Sequence, residues 1–302
     1  MNYEHILILG TGRLALDCTV HIKSMRLPCV LYDMNAAPSA LLKRQSAHFG
    51  LNCRQISPKE AYSEIKSLTG NTLLISAINP CILPADLLAR PGLTAINCHQ
   101  ALLPRHPGRN AEMWAIFEED QETGITWHYM TPEVDGGNIL VQKSFPITDE
   151  MTSYQVFRKQ IQLAFQGFEE IITPLLKGQV KSAPQCSCPL RKMHYSWEIP
   201  ADGVIDVHWS GRKISAFLRA MDYAGLQVVK PPRIFIQGEY FSWKKYKIQK
   251  TGRSGDDLFF KDRAICIVRD GYEITLTEYI KEEHRNGTIT GNIKRTASGG
   301  GF

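Results

Sequence analysis

The sequence predicts an α/β protein, in which a Rossmann-like, doubly wound and mostly parallel sheet is followed by a small β-rich, OB-like region. Three observations support this fold class. Residues 6–9 and 72–77 are short, uniformly apolar or nearly apolar runs, typical of strands that are buried on both faces. Such runs alternate with segments of helical spacing as far as residue 176, which favours parallel strands joined by helices. Beyond residue 201 the pattern changes to short strands separated by glycine turns.

These patterns divide the chain into three regions. Residues 1–195 are expected to form the first domain, and residues 201–290 are expected to form the β-rich second domain. Residues 291–302 are rich in glycine and are expected to form a flexible tail.

The periodicity also predicts the individual elements, in chain order. In the first domain, strands are expected at residues 6–9, 29–32, 72–77, 93–99, 125–130 and 139–142. Helices are expected at 14–25, within 36–67 with interruptions near 49–51 and 57–58, and at 85–89, 111–117 and 153–176. In the second domain, a helix at 213–221 is expected to precede strands at 233–236, 240–243, 264–268 and 273–276.

Composition and charge limit the class of protein. The 302 residues are 43% hydrophobic and 22% charged, which is typical of a soluble globular protein with a sizeable core. The net charge of +5 is too small to indicate nucleic-acid binding. The eight cysteines are mostly isolated, and residues 1–9 do not resemble a signal peptide or a membrane span. We therefore expect buried, free thiols in a cytoplasmic protein, without a metal site.

The first predicted strand leads into Gly10-Thr11-Gly12, and the second strand ends at Asp33 about twenty residues later. This outline fits the fingerprint of dinucleotide-binding proteins, in which an acidic residue binds the ribose. An NAD(P)-dependent oxidoreductase is therefore one interpretation. The other is that the first turn of any doubly wound sheet needs glycine for its tight geometry.

The most informative stretch is Ile96-Asn97-Cys98-His99, followed by Leu103-Pro104. Residues two apart on a strand point to the same face, so Asn97 and His99 are expected to point into one space at the end of a strand. The loop that follows the next strand carries Asp135, Gly136 and Gly137. His128 lies on the strand before this loop and is expected to have a structural role.

Together with Asn79-Pro80 and Thr123-Gly124, these motifs make residues 1–180 resemble the folate-dependent formyltransferase family. That family includes methionyl-tRNA formyltransferases and amino-sugar N-formyltransferases, and residues 200–220 resemble the segment that opens their second domain. The resemblance implies that Asn97, His99 and Asp135 are catalytic and that 10-formyltetrahydrofolate is the formyl donor. It also makes the nicotinamide interpretation much weaker.

The chemistry of formyl transfer explains these three residue types. The Asn97 amide is suited to stabilising an oxyanion, His99 to moving a proton, and Asp135 to orienting and charging the histidine. Further residues are predicted on position and charge. For folate binding these are Ile82, Leu83, Leu103, Val134, Gly136 and Gly137, the two glycines because they tolerate positive φ. For substrate binding they are Arg105, Arg109 and Asn110.

The acceptor stays open at this point. Ala101 stands where many members of the family have serine, and Arg109-Asn110-Ala111-Glu112 replaces a usual small-residue-proline sequence on the acceptor side. An amino sugar nucleotide or an amino-acid unit, free or carrier-bound, is favoured over initiator tRNA. A non-catalytic binding module is a further alternative, and the sequence does not predict the oligomeric state.

Overall fold

The computed structural model describes residues 2–35, 39–186, 192–253 and 255–282. Its largest sheet has seven strands in the order β3-β2-β1-β4-β5-β6-β7. These strands are β1 (His5–Gly10), β2 (Val30–Asp33), β3 (Cys53–Gln55), β4 (Thr72–Ala77), β5 (Leu93–His99), β6 (Glu122–Tyr129) and β7 (Ile139–Pro146). The first five strands are parallel, whereas β6 runs antiparallel to both β5 and β7.

Helices cover both faces of this sheet, which explains why its central strands are apolar throughout. The helices are α1 (Gly12–Ser24), α2 (Ala40–His48), α3 (Pro58–Ser67), α4 (Ala85–Leu88), α5 (Ala111–Phe117), α6 (Ser153–Leu176) and α7 (Gly211–Ala220). On one face α1 and α6 pack against the sheet through residues such as Leu14 and Phe168. On the other face α3 and α4 contribute Ile65 and Leu87 to a separate buried cluster. The predicted doubly wound α/β fold is confirmed.

The second half of the chain is rich in β-structure, as predicted. One four-stranded sheet contains β8 (Val204–Ile205), β9 (Arg233–Ile236), β10 (Glu239–Ser242) and β15 (Ile280–Lys281). The other contains β11 (Lys245–Lys250), β12 (Asp256–Lys261), β13 (Ala264–Arg269) and β14 (Tyr272–Thr277). Helices α5 and α7 lie against these strands, and Met113, Phe217 and Ile265 belong to one hydrophobic core. The core therefore joins residues from both sides of the predicted boundary at 195–201, and the boundary itself stays a prediction.

Two differences from the predicted elements have clear physical reasons. The predicted helical region 36–67 contains two helices separated by the short edge strand β3, which is half exposed and lacks an apolar run. Strands β11 and β12 are also largely exposed, so their sequences do not have the alternating pattern of half-buried strands. The predicted tail at 291–302 lies outside the described residues.

The cysteines are only partly as predicted. The seven in the described ranges carry free thiols, of which Cys18, Cys98 and Cys266 are buried and Cys186 is exposed. Cys188 lies outside those ranges. Within the same ranges, no helix combines the length and the hydrophobicity that a membrane crossing requires.

Candidate active site

The carboxyl ends of β4 and β5 open into a cavity of about 780 Å³. Ser76 at the end of β4 and both Asn97 and His99 at the end of β5 line it, together with Asp135 from the loop after β6. The parallel pairing of β4 with β5 places these strand ends at the same edge of the sheet. Such an edge is where α/β proteins usually bind their ligands.

The three predicted catalytic side chains converge. One carboxylate oxygen of Asp135, Oδ2, lies 3.4 Å from Nδ1 of His99. The other, Oδ1, lies 3.4 Å from the amide nitrogen of Asn97. The backbone amide of Gly108 donates to Oδ2 at 2.9 Å and fixes the carboxylate. The structure thus brings together an amide, an imidazole and a carboxylate, and their catalytic roles stay a prediction.

The orientation of the Asn97 amide follows from its neighbours. The hydroxyl of Ser76 donates to Oδ1 of Asn97 at 2.7 Å. The amide nitrogen lies 3.2 Å from Nε2 of His128, whose Nδ1 is 2.8 Å from the carbonyl oxygen of Tyr129. A carbonyl only accepts, so Nδ1 of His128 carries the proton and Nε2 accepts from Asn97. The NH₂ group is therefore held beside Asp135.

The protonation state of His99 also follows from its contacts. Its Nε2 lies 2.8 Å from the carbonyl oxygen of His106, so Nε2 carries the proton of the neutral ring. Burial lowers the pKa of His99, and the Asp135 carboxylate opposes this shift without reversing it. The ring is therefore neutral at neutral pH, and its basic Nδ1 faces Asp135.

The charge on Asp135 is well supported. Burial disfavours the ionised form, but the Gly108 amide donates to the carboxylate, and the facing His99 and His128 rings favour its charge when they are protonated. Together they hold the pKa of Asp135 well below its usual range. The site at neutral pH therefore combines an ionised carboxylate with a neutral imidazole, which is a state that can accept a proton.

Of the predicted binding residues, five line the cavity: Ile82, Leu83, Val134, Arg109 and Asn110. Arg109 donates from its guanidinium to the carbonyl oxygen of Pro80 at 3.1 Å, which holds the loop after β4. Ile82 is 57% exposed and presents an apolar surface at the cavity, whereas Leu83 is buried.

Four other predicted binding residues do not line the cavity. Leu103 is buried, and its backbone bonds to the side chains of Thr126 and Gln142. Arg105 forms an ion pair with Asp120. These two residues support the loop after β5 without lining the cavity.

Gly136 and Gly137 were expected to turn at positive φ beside a ligand, and this was wrong. The positive φ of +52° belongs to Asp135 itself. A side chain at Gly137 would place Cβ 1.8 Å from the carbonyl oxygen of Tyr129, so this glycine is required by the close approach of two backbone segments. At Gly136 the obstacle is the side chain of Glu133.

The Gly10-Thr11-Gly12 turn also lies outside the cavity lining. A side chain at Gly10 would place Cβ 2.2 Å from the carbonyl oxygen of Ala77 on β4, so packing alone explains this glycine. The carboxylate of Asp33, where a ribose was considered, is buried and accepts from the backbone amide of Asn35 at 3.2 Å.

Several lining residues were not predicted. Glu112 is buried at the cavity wall, where burial raises its pKa, and it accepts from the hydroxyl of Tyr223 at 2.7 Å. Tyr195 and Trp197 stack with ring centres 4.8 Å apart, and both are exposed. The segments that carry these aromatic residues have no motif, and their position depends on how the second half packs on α5.

His194 also lines the cavity and is 1% exposed. Burial, assisted by the neighbouring His106, Lys192 and His99, lowers the pKa of His194 from 6.5 to about 4. Between these pH values the unfolded chain binds more protons than the folded protein, so stability is lost as the pH falls through this range. The difference of 6.5 − 4 = 2.5 corresponds to roughly 3 kcal/mol.

We therefore expect the free energy of unfolding, measured by urea denaturation, to decrease by a few kcal/mol between pH 7 and pH 4.5. His194→Phe removes the titrating ring and should flatten this dependence in part, because the pKa of His99 is also lowered by burial. An identical pH dependence in the two proteins would contradict the assignment to His194.

Comparisons with known proteins indicate the protein family that one segment resembles. Residues 30–172, which contain all three predicted catalytic residues, match the family model described as formyl transferase. The resemblance found in the sequence is therefore confirmed for this segment.

Individual relatives belong to two kinds of formyltransferase. GDP-perosamine N-formyltransferase of Brucella melitensis is 32% identical over 149 residues, which are 49% of this chain and 56% of that protein. Methionyl-tRNA formyltransferase of Levilactobacillus brevis is 31% identical over 150 residues, 49% of this chain and 47% of that protein. The chain thus spans about half the length of the curated relatives that it matches.

Among solved structures, an N-formyltransferase from Helicobacter canadensis in complex with folinic acid and dTDP-3-aminofucose has a TM-score of 0.71. The match covers 92% of this chain and 99% of that chain, at 17% identity. At this identity the likeness shows the fold, and it includes the β-rich C-terminal half.

Proposed function

We propose that the protein is an N-formyltransferase that moves a formyl group from 10-formyltetrahydrofolate to a small primary amine. The observation that carries this proposal is the convergence of Asn97, His99 and Asp135 in the lining of one cavity. The N-formyltransferase relative and the structural neighbour in complex with folinic acid and an amino sugar nucleotide support it. An amino sugar, free or nucleotide-linked, is the first acceptor to test.

The lining of the cavity fits a reduced folate. Ile82, Leu83 and Val134 provide apolar surface on one side of the catalytic cluster. The loop around Asn79 and Pro80 is held in place by its own hydrogen bonds and by Arg109. The donor supplies a carbonyl carbon bonded to a nitrogen that can leave. We propose that the apolar loops hold its ring system while its formyl group lies beside Asn97.

The residues of the chain then have distinct tasks. Attack by the amine forms a nitrogen–carbon bond and converts the carbonyl oxygen into an oxyanion. Asn97 keeps one N–H on His128 and donates to the oxyanion the other N–H, which lies at a long 3.4 Å from Asp135 in the structure. The amine loses its proton to Nδ1 of His99, and Asp135 stabilises the resulting imidazolium. The same proton is returned to the folate nitrogen when its bond to the formyl carbon breaks. The products are the formamide and tetrahydrofolate.

The alternative acceptor, initiator tRNA, is favoured by the methionyl-tRNA formyltransferase relatives. Basic residues at the start of β11, which could contact tRNA, are partly neutralised. Lys244 and Lys245 both pair with Glu278, at 3.6 and 3.1 Å. A paired surface of this kind attracts phosphates weakly, so we place tRNA second. We further propose a cytoplasmic location, where reduced folates are available.

The direct test is to incubate the purified protein with 10-formyltetrahydrofolate and a panel of amines. The panel should contain nucleotide-linked 3- and 4-amino sugars, amino acids and methionyl-tRNA. Tetrahydrofolate release and a formyl mass increase on one acceptor are the expected result. If the protein binds NAD(P) but not folates in thermal-shift assays, and formylates none of these amines, the proposal is wrong.

A further inference from the structure

A second group of buried polar side chains, joined by hydrogen bonds, lies beside the candidate catalytic cluster. The formyl transfer described above does not use it. Asp120 Oδ2 lies 2.9 Å from Nε2 of His106, and Nδ1 of His106 lies 3.2 Å from Nε2 of His194. Both rings are buried, with 6% of His106 and 1% of His194 exposed. The other oxygen of Asp120 pairs with Arg105.

The two histidine rings meet edge to edge. Their planes differ by 21° and their centres are 5.4 Å apart. This distance exceeds the 3.2 Å between the facing nitrogens by nearly the sum of the two centre-to-nitrogen distances, so both nitrogens lie near the line joining the ring centres. Glu118 lies close enough to form a possible metal-binding group with these rings. However, two nitrogens that point directly at each other leave no room for an ion between them, so this contact is a hydrogen bond.

The direction of each hydrogen bond can be assigned. The carboxylate of Asp120 accepts, so in a His106 ring with one proton that proton lies on Nε2 and Nδ1 accepts. His194 must then donate from Nε2. This leaves Nδ1 of His194 without a proton, and that atom is buried without a hydrogen-bond partner in the described part of the chain.

The hydrogen bonds among Asp120, His106 and His194 hold the loop that contacts two of the three predicted catalytic residues. The carbonyl of His106 accepts from His99 at 2.8 Å, and the amide of Gly108 donates to Asp135 at 2.9 Å. The backbone of His194 pairs with the same loop, accepting from the Arg109 amide and donating to the Pro107 carbonyl, both at 2.9 Å. Gly108 has no room for a side chain, since its Cβ would lie 2.2 Å from the carbonyl oxygen of His194.

We propose that Asp120, His106 and His194 are positioning residues for formyl transfer, an inference that rests on the proposed function. The side chain of His106 is anchored at both ring nitrogens, which fixes the direction of its backbone carbonyl. That carbonyl keeps the proton of His99 on Nε2 and therefore keeps the basic Nδ1 facing Asp135. The loop acts on the reaction through the position and the tautomer of His99.

His194→Phe is the first test. The phenyl ring preserves the stacking on Trp114, whose ring centre is 4.3 Å away, and removes only the hydrogen bond to His106. We expect kcat to fall roughly ten- to hundred-fold, with the KM for the formyl donor changed by less than about two-fold. His208→Phe, an exposed histidine outside the cavity lining, is the matched control and should keep normal activity.

Long-range ¹H–¹⁵N NMR of the histidine rings provides a readout that a purely structural role would not change. At neutral pH we expect His99, His106 and His194 of the unmodified protein to carry their protons on Nε2. In the variant His194→Phe, His99 should populate both tautomers. Normal kcat with an unchanged His99 tautomer in this variant would overturn the proposal.

Asp120→Asn provides a second route if the phenylalanine variant does not fold. An amide at this position can donate to His106 and so reverse the direction of donation in both hydrogen bonds. The same loss of kcat and the same change at His99 are therefore expected. The outcomes also separate the two proposals. If the unmodified protein formylates no amine, the proposed function fails, whereas an active protein with fully active variants removes only the positioning role.

Discussion

Asp135→Asn is expected to reduce turnover by about a thousand-fold. The amide oxygen can still accept from Gly108, but an NH₂ group then replaces the oxygen that faces Asn97, so two donors meet where a donor and an acceptor lie 3.4 Å apart. The variant also lacks the charge that stabilises a protonated His99. Turnover should be measured under saturating amine and formyl donor.

Binding of the folate should change little in this variant, because the apolar loops that we assign to it are untouched. Isothermal titration with a reduced folate checks this point, and a dissociation constant within about three-fold of the original is expected. Near-normal turnover of Asp135→Asn would remove Asp135 from the mechanism.

His99→Gln is expected to have a similar or larger effect, between roughly a hundred- and ten-thousand-fold on kcat. The glutamine amide can replace the hydrogen bond to the His106 carbonyl, so the loop keeps its anchor, but no basic nitrogen remains beside Asp135. In the unmodified protein the rate should also fall on acidification, because the imidazole must be neutral to accept the proton. Pre-steady-state measurement of formyl transfer separates this chemical step from product release.

His208→Gln is the control for this substitution, since His208 is exposed and lies outside the cavity lining. It should keep both the rate and the pH dependence of the unmodified protein. If His99→Gln retains more than about a tenth of the original kcat, the histidine is not the proton acceptor.

The strands of the seven-stranded sheet and two of the candidate catalytic residues could be predicted for the same reason. Buried parallel strands leave continuous apolar runs, and two polar residues at the end of such a run stand out, as Asn97 and His99 do. Asp135 was found through its motif. His128 was expected to have a structural role, but its contact with Asn97 could not be predicted, because it depends on the antiparallel register that pairs residues 97 and 128.

Other parts could not be predicted, because their conformation depends on distant segments. Gly137 looked like a ligand-binding turn, whereas the nearby backbone of Tyr129 is what excludes a side chain there. Tyr223 and Glu112 are 111 residues apart in sequence, and only the packing of the second half on α5 joins them. Strands β11 and β12 carry exposed, charged residues that hide their extended conformation.

Residues from two separate stretches of sequence line the cavity. Ser76, Asn97 and Asp135 come from the large sheet and its loops, whereas Tyr195 and Tyr223 come from the region after residue 192. Mutations at Tyr195 or Tyr223 can therefore reshape one wall while the reacting groups stay in place, whereas His194 also holds the loop beside His99. If the proposed function is correct, residues 195–228 are the segment to exchange between homologues when a new acceptor is wanted.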